Sequence, residues 1–143
     1  MQVFIVGTPL ETAKVLDRRR LNKQIIECQQ ILDALNGAKA WSNHPCTLQY
    51  RGYEAWLVRY MSCLHWHRLG YYEEAKKDNE RCKELTPPFH TEKYFDNMKS
   101  RLFTKNPIHY ALYAKYGTSD TNMYYVDGEW RYYKNGKRVK ESI

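Results

Sequence analysis

The sequence predicts an all-α fold: a compact single-domain helical structure with a short N-terminal extended segment and a small C-terminal β-hairpin appendage. Three observations predict it. Apolar residues recur at helical spacing early in the chain, Gly and Pro separate several such segments, and an Asp-Gly pair joins two aromatic runs near the C-terminus. With 143 residues, 43% of them hydrophobic, the chain suits one domain with a real core.

Residues 2–6 are predicted to be extended, and the first helical region follows directly. In residues 8–11 (TPLE) the threonine can cap a helix, the proline suits its first turn, and the glutamate completes a capping box. The helical pattern continues to Leu35 with a break near Asp17, and Asn36-Gly37 ends it. One buried stripe is indicated by the recurrence of Leu21, Ile25, Cys28, Leu32 and Leu35.

Further helices are predicted in the middle of the chain. A second long helix opens at His44-Pro45 and reaches about Leu69-Gly70, and a charged helix covers residues 72–85. Another helix starts near Thr91, after a proline pair that breaks the preceding one. A short turn or helix covers residues 109–116.

The last part of the chain changes from helical periodicity to dense aromatic sequence. Residues 122–133 place Asp127-Gly128 between two aromatic runs, which is a strong hairpin signal, and Asn135-Gly136 can turn a third short strand. We therefore expect a helical domain over residues 1–117 and an aromatic β-hairpin extension over residues 118–143.

Charge and composition limit the classes of function. The 23 Lys and Arg outnumber the 16 Asp and Glu, and the net charge of +7 favours a polyanionic partner, although solubility alone also accounts for it. No stretch reaches the roughly 18 apolar residues that a membrane span needs. The N-terminus also lacks the charged start of a signal peptide. We expect a cytoplasmic protein with no membrane partner.

The cysteines give no sign of a metal site. No CxxC pair occurs, and the C-x-H-x-H spacing of Cys63, His65 and His67 fits neither the common helical nor the common finger pattern for zinc. Ordinary thiols in a reducing compartment are the simpler interpretation. We therefore expect neither a metal nor a cofactor.

A first candidate site lies on the helix that follows Asp17. Arg18-Arg19-Arg20 precedes Lys23, Gln24 and Glu27, and these residues lie on neighbouring turns of one side. A carboxylate among cations stays ionised at neutral pH and can stabilise a developing oxocarbenium ion while the cations hold phosphates. The alternative is a solvated charged face with a Lys23–Glu27 ion pair.

A second candidate site surrounds Asn43-His44-Pro45. His44 can contact a phosphate or transfer a proton, or it can simply cap the helix that Pro45 starts. Arg51 can project from this helix toward a phosphate. Gly52 inside a helix costs about 1 kcal/mol relative to Ala, which suggests close packing or approach of a ligand.

Basic and aromatic residues near the C-terminus form the remaining candidates. Arg101 and Lys105 share a helix face, which suits contact with consecutive phosphates, although such a pair is often merely solvated. The hairpin aromatics are interleaved with Arg131 and Lys134, and aromatics beside cations can stack on bases. For most of them we favour cross-strand pairing within the hairpin.

Four segments of the chain together resemble one known family. VLDRRRLNKQIIECQQILDAL, WSNHP and YRGYEAW are similar to cellular and viral members of the pyrimidine-dimer DNA glycosylase family, which the phage endonuclease V enzymes typify. SRLFTKNPIHYALYAKYG is similar to the last helix and aromatic segment of the phage enzyme, in register without a gap. The resemblance covers about residues 1–117.

The resemblance implies a helical domain that binds damaged double-stranded DNA, kinks it and flips out a base. It also implies cleavage of the glycosidic bond of a damaged or modified base, with or without strand nicking by an AP-lyase step. In this family an N-terminal α-amine attacks the sugar C1′, and one glutamate is essential. Glu27 matches that glutamate, Met1 would supply the amine, and His44 would lie near the reacting sugar. The expected DNA-binding residues are Arg18, Arg19, Arg20, Lys23, Asn43, Arg51, Arg101, Lys105, Tyr113 and Tyr116.

The sequence also leaves a second function open. Two arginines that flank the family's glutamate correspond to Ile26 and Gln30 here, which removes cations from the pocket. The alternative is therefore a non-catalytic module that binds DNA, a free nucleotide or a signalling dinucleotide. We expect a monomer, and the alternative is a dimer formed through the hairpin.

Overall fold

The computed structural model describes residues 1–140, which form six α-helices, two short 3-10 helices and three strands. In chain order the α-helices are α1 (Pro9–Val15), α2 (Arg18–Leu35), α3 (Pro45–Tyr50), α4 (Glu54–Arg68), α5 (Tyr72–Cys82) and α6 (Glu92–Lys105). The 3-10 helices are Lys83–Leu85 and Ala111–Tyr116, and the strands are β1 (Thr121–Val126), β2 (Glu129–Lys134) and β3 (Lys137–Val139).

Local signals in the sequence fix the start of the main helices. Thr8 caps α1 by accepting the N–H of Glu11 at 3.1 Å, and Asp17 caps α2 by accepting the N–H of Arg20. Thr91 caps α6 in the same way. The predicted capping of the first helix, the break at Asp17 and the helix after Thr91 are all confirmed.

The N-terminal unit, Met1–Pro88, packs α4 against α1, α2 and α5. Its centre is aromatic: the buried ring of Trp56 stacks between Tyr50 at 5.7 Å and Tyr60 at 4.9 Å. The buried Asp78 of α5 accepts a hydrogen bond from Ser62 and pairs with Arg59 and Arg81. This core holds α2 and the start of the chain in place.

The predicted second long helix is wrong in one respect: two helices, α3 and α4, occupy its range. Gly52 interrupts it with a φ of +91°, a conformation that glycine adopts without strain. A Cβ added at Gly52 would meet nothing within 4 Å, so the glycine serves the turn and not a close approach. Arg51 ends α3 and is exposed.

A second compact unit begins at Phe89 and contains α6, the 3-10 helix Ala111–Tyr116 and an antiparallel sheet of order β1-β2-β3. Positive φ angles at Asp127-Gly128 and at Asn135-Gly136 match the tight turns of two-residue hairpins. Both predicted turns are thereby confirmed. The domain boundary after residue 117 stays a prediction.

The fold is mostly helical with a small C-terminal sheet, so the term all-α describes it only in part. None of the helices within residues 1–140 is long and apolar enough to cross a membrane.

Candidate functional site

The start of the chain lies against the carboxylate of Glu27. The backbone nitrogen of Gln2 donates to Glu27 Oε2 at 2.7 Å, and the glutamate side chain is buried. The α-amine of Met1 is one residue away, within about 4 Å of the Gln2 nitrogen by covalent geometry. The amine and the carboxylate are therefore separated by no more than roughly 7 Å.

Gln24, one turn before Glu27 on α2, fixes the chain start in this position. Its amide oxygen accepts the N–H of Phe4, and its Nε2 donates to the carbonyl of Gln2 at 2.8 Å. Residues 2–6 form no strand, although four of them are buried apolar residues. Side chains of α2 thus satisfy backbone groups that a neighbouring strand would otherwise bind.

Sequence reasoning placed Gln24 in the cluster but gave it no role. The signal that could have found it is its position, since Gln24 and Glu27 fall within the buried stripe of α2 and not on its solvent side. A buried glutamine and glutamate three residues apart need polar partners from another segment. The N-terminal segment supplies them.

His44 is the N-cap of α3, as one of its two sequence interpretations predicted. Its Nδ1 accepts the N–H of Cys46 at 3.1 Å, so the ring proton resides on Nε2. Burial and, second to it, the positive charge of the N-terminal amine lower the pKa of His44 to about 4. The imidazole is therefore neutral at pH 7 and lies near the α-amine.

The pKa of the Cys46 thiol is affected by both the N-terminal amine and Glu27. Burial raises its pKa to about 12, while the N-terminal amine and a backbone hydrogen bond from Val3 act to lower it and Glu27 acts to raise it. The positive charge of the amine and the negative charge of Glu27 thus act on the same buried thiol. The structure brings together the three residues predicted as catalytic, Met1, Glu27 and His44.

Trp41 borders this cluster and was not singled out from the sequence. Its ring meets the ring of His44 edge-on, with 5.7 Å between centroids. Its side chain is 46% exposed and its φ is +64°. An exposed tryptophan in the left-handed region is the signal that only the structure provides.

The cations predicted on α2 lie outside the buried contact between Glu27 and the start of the chain. The guanidinium of Arg20 lies 5.5 Å from the centroid of the Phe4 ring, whereas Arg18, Arg19 and Lys23 are exposed. Within residues 1–140, no ion pair joins Lys23 to Glu27. Asn43 and Arg51 are also exposed.

A cavity of about 230 Å³ lies beside the start of α2. Its polar lining consists of Lys14, Arg18, His67 and Arg68, over a floor of apolar residues. No acidic side chain belongs to this lining, so the cavity is basic. Burial followed by the charge of Lys14 lowers the pKa of His67.

The predicted residues of the late segment lie in the second unit. Arg101 and Tyr113 are buried, Tyr116 is half-buried and Lys105 is exposed. Lys99 also reaches the aromatic segment, since its Nζ lies 4.9 Å from the Tyr116 ring centroid and 3.4 Å from its hydroxyl.

The cysteine and histidines of the C-x-H-x-H segment do not converge. Cys63 is buried and directs its thiol to the carbonyl of Ala75, while His65 is exposed. Over the described residues 1–140, no group of three or more His, Cys, Asp or Glu side chains is arranged to hold a metal ion.

A sequence model of one protein family, described as pyrimidine dimer DNA glycosylase, matches residues 1–79. The matched range includes Met1, Glu27, His44 and the cations of α2. No match to the chain was found among curated proteins or among solved structures.

Proposed function

Because the chain belongs to the pyrimidine dimer DNA glycosylase family, we propose that it is a repair N-glycosylase that flips a damaged or modified base out of duplex DNA and cleaves its glycosidic bond. One observation carries the proposal. The 2.7 Å hydrogen bond from the Gln2 nitrogen to Glu27 holds the start of the chain at a buried carboxylate.

In this mechanism the Glu27 carboxylate stabilises the positive charge that develops on the sugar as the bond to the base breaks. The α-amine attacks C1′, a new N–C1′ bond forms, and the base departs with the electron pair of the glycosidic bond and takes up a proton. After the nitrogen loses a proton, its electron pair forms a C1′=N bond as the C1′–O4′ bond of the sugar breaks and O4′ takes up a proton. This Schiff base then allows β-elimination, in which a proton leaves C2′ and the C3′–O bond to the phosphate breaks. Because its Nδ1 accepts the Cys46 N–H, the neutral His44 has its Nε2 proton to donate and adds no positive charge beside the amine.

The nitrogen that attacks depends on how the chain begins. When Met1 is the first residue, the free amine belongs to Met1, and the Gln2 nitrogen is an unreactive amide. Gln2 is larger than the small residues that normally permit removal of the initiator Met. If Met1 were removed, the α-amine would be the nitrogen that lies 2.7 Å from Glu27.

The decisive experiment incubates the protein with ultraviolet-irradiated and untreated plasmid and measures abasic sites and nicks. We expect abasic sites to form in the irradiated plasmid and not in the untreated one, and to form equally well when a metal chelator is present. Glu27→Gln should lower the rate at least 100-fold, whereas Glu73→Gln, a change to an exposed carboxylate in a surface ion pair, should leave it unchanged. Equal rates for the two variants, or no damage-dependent product with the unmodified protein, would overturn the proposal.

The lyase step has its own test. Borohydride should trap a covalent protein–DNA adduct if the α-amine is the nucleophile, and intact mass with peptide sequencing of the adduct identifies Met1 or Gln2 as the linked residue. Abasic sites without any trapped adduct would restrict the activity to simple glycosylase chemistry.

A second candidate function is non-catalytic binding of DNA or of a nucleotide. It is favoured by the exposed Ile26 at a position where the family has an arginine, and by the basic cavity around Lys14 and Arg18. Thermal shift with free nucleotides and DNA binding at two salt concentrations separate the candidates. Steep loss of DNA affinity with salt indicates contacts to several phosphates, whereas tight nucleotide binding with weak DNA binding indicates the second function.

A further inference from the structure

Trp41 has a conformation that is unusual for its residue type. Its φ of +64° lies in the left-handed region, which bulky residues seldom adopt unless their surroundings hold them there. The carbonyl of Trp41 accepts the N–H of His44 at 3.1 Å, and the indole meets the imidazole edge-on. These contacts fix the direction of the ring.

The exposure of Trp41 also distinguishes it from the other tryptophans, all of which lie in the described chain. Trp56 is buried between two tyrosines, and Trp66 and Trp130 are half-buried against Tyr71 and Tyr125. Trp41 leaves almost half of its surface open to solvent, at 46% exposure. It therefore offers a flat apolar face of the kind that accepts another ring.

The position of this face relates it to the candidate active site. His44, which Trp41 contacts, lies close enough to the N-terminal amine for the amine's charge to affect its titration. The same amine and Glu27 both act on Cys46, two residues further along the chain. Trp41 contacts the N-cap of α3, and α3 packs against α2, the helix that carries Glu27.

We propose that Trp41 is the platform on which the extruded nucleobase stacks beside the Glu27 site. The proposal rests on the proposed function and adds the residue that holds the base. The ligand it takes is a heteroaromatic ring, because an indole face recognises any base by stacking and the +7 chain attracts the attached phosphates. Discrimination between damaged and undamaged DNA would then depend partly on how easily the base leaves the helix.

The test compares Trp41→Ala, Trp41→Phe and the control Trp130→Phe, whose tryptophan lies in the second unit. The probe is a short duplex with one cyclobutane thymine dimer, beside the undamaged duplex. Trp41→Ala should bind the dimer duplex about 10-fold more weakly, with a smaller loss on the undamaged duplex, and Trp41→Phe should recover most of the affinity. The quenching of tryptophan fluorescence by the dimer duplex should disappear in Trp41→Phe and persist in Trp130→Phe.

The outcomes separate this inference from the proposed function. Suppose that the unmodified protein excises the dimer, and that Trp41→Ala has the same excision rate and the same ratio of affinities for the dimer duplex and the undamaged duplex. Stacking on Trp41 is then refuted, while the glycosylase function stands. If the unmodified protein excises nothing, damage-dependent quenching that requires Trp41 still supports the platform, and its absence overturns it. Unfolding midpoints of the variants, expected to equal that of the unmodified protein, show that an altered fold is not the cause.

Discussion

Glu27 in the N-terminal unit and Glu129 in the C-terminal sheet are both carboxylates with arginines nearby in sequence, yet their surroundings differ. Glu27 is buried and accepts the backbone N–H of Gln2. Glu129 is exposed, and its Oε1 accepts hydrogen bonds from Arg131 and Arg138, each at 3.1 Å. These two arginines lower the pKa of the Glu129 carboxyl.

The difference follows from the geometry of the two elements. In a strand, alternate residues share a face, so Glu129 and Arg131 lie side by side, and the register of β3 adds Arg138 to the same face. In α2, Arg18 and Arg19 are exposed and Arg20 lies over the Phe4 ring, while the glutamate faces inward. A carboxylate close to cations in sequence thus pairs with them in the sheet, whereas in α2 it accepts a hydrogen bond from the backbone.

The largest expected effect concerns Gln24, which holds the chain start at Glu27. Gln24→Ala leaves the N–H of Phe4 and the carbonyl of Gln2 buried without their partner, at a cost of about 2–5 kcal/mol in the free energy of unfolding. Urea unfolding measures this cost. The control is Gln29→Ala on the same helix, since Gln29 is exposed and its amide bonds only to Asp33, at 2.9 Å.

Gln24→Ala should also lose most base-excision activity at temperatures where it remains folded, because the amine is no longer held at the carboxylate. Equal unfolding free energies for the Gln24 and Gln29 variants would show that the chain start is held by something other than this side chain.

A smaller effect is expected from pH. The pKa of His44 is lowered from 6.5 to about 4 in the folded protein, so between these values the unfolded chain binds more protons. Stability from this group is complete above pH 6.5 and is lost as the pH falls toward 4. Because the ring is half-buried, we expect a loss of about 1–2 kcal/mol over this range.

The matched variant for the pH effect is His44→Asn, which keeps a good N-cap without a titrating group. Its unfolding free energy, measured by urea at pH 7, 5.5 and 4, should fall less than that of the unmodified protein. His90 in the second unit, whose pKa burial lowers to about 3, contributes a loss of the same sign that remains in this variant. If the unfolding free energy of His44→Asn depended on pH as strongly as that of the unmodified protein, the assignment to His44 would be contradicted.

The smallest effect is expected at the ion pairs of the sheet. Arg131→Ala removes one partner shared by two exposed carboxylates, Asp127 and Glu129, yet it should not measurably change the unfolding midpoint, because exposed ion pairs are well solvated. NMR titration should instead show the pKa of Glu129 rising toward its ordinary value. A marked drop in the unfolding midpoint would mean that the contacts of the exposed Glu129 matter to stability as much as those of the buried Glu27.

Much of the fold could be predicted because its signals are local. Capping by Thr8 and Asp17 and the turns at Asp127-Gly128 and Asn135-Gly136 depend on residues within one turn of one another. The interruption at Gly52 was missed because apolar residues continue at helical spacing on both sides, and periodicity alone does not reveal a single residue with positive φ.

The candidate site could be predicted less completely. The sequence identified Glu27, Met1 and His44, which the structure brings together, although their catalytic roles and those of the DNA-binding residues stay predictions. It gave no role to Gln24 or Trp41. Gln24 acts through hydrogen bonds to residues 20 or more positions away, and Trp41 is distinguished by its backbone conformation and exposure.

The sequence by itself determined where most helices and the hairpin turns begin and end, which residue types are available for chemistry, and the basic character of the chain. Only the tertiary structure decided which carboxylate receives the start of the chain and which is held by arginines. The physical reason is that helix caps and turns are contacts between near neighbours, whereas a buried polar side chain is satisfied by whichever segment the packing of the core places beside it.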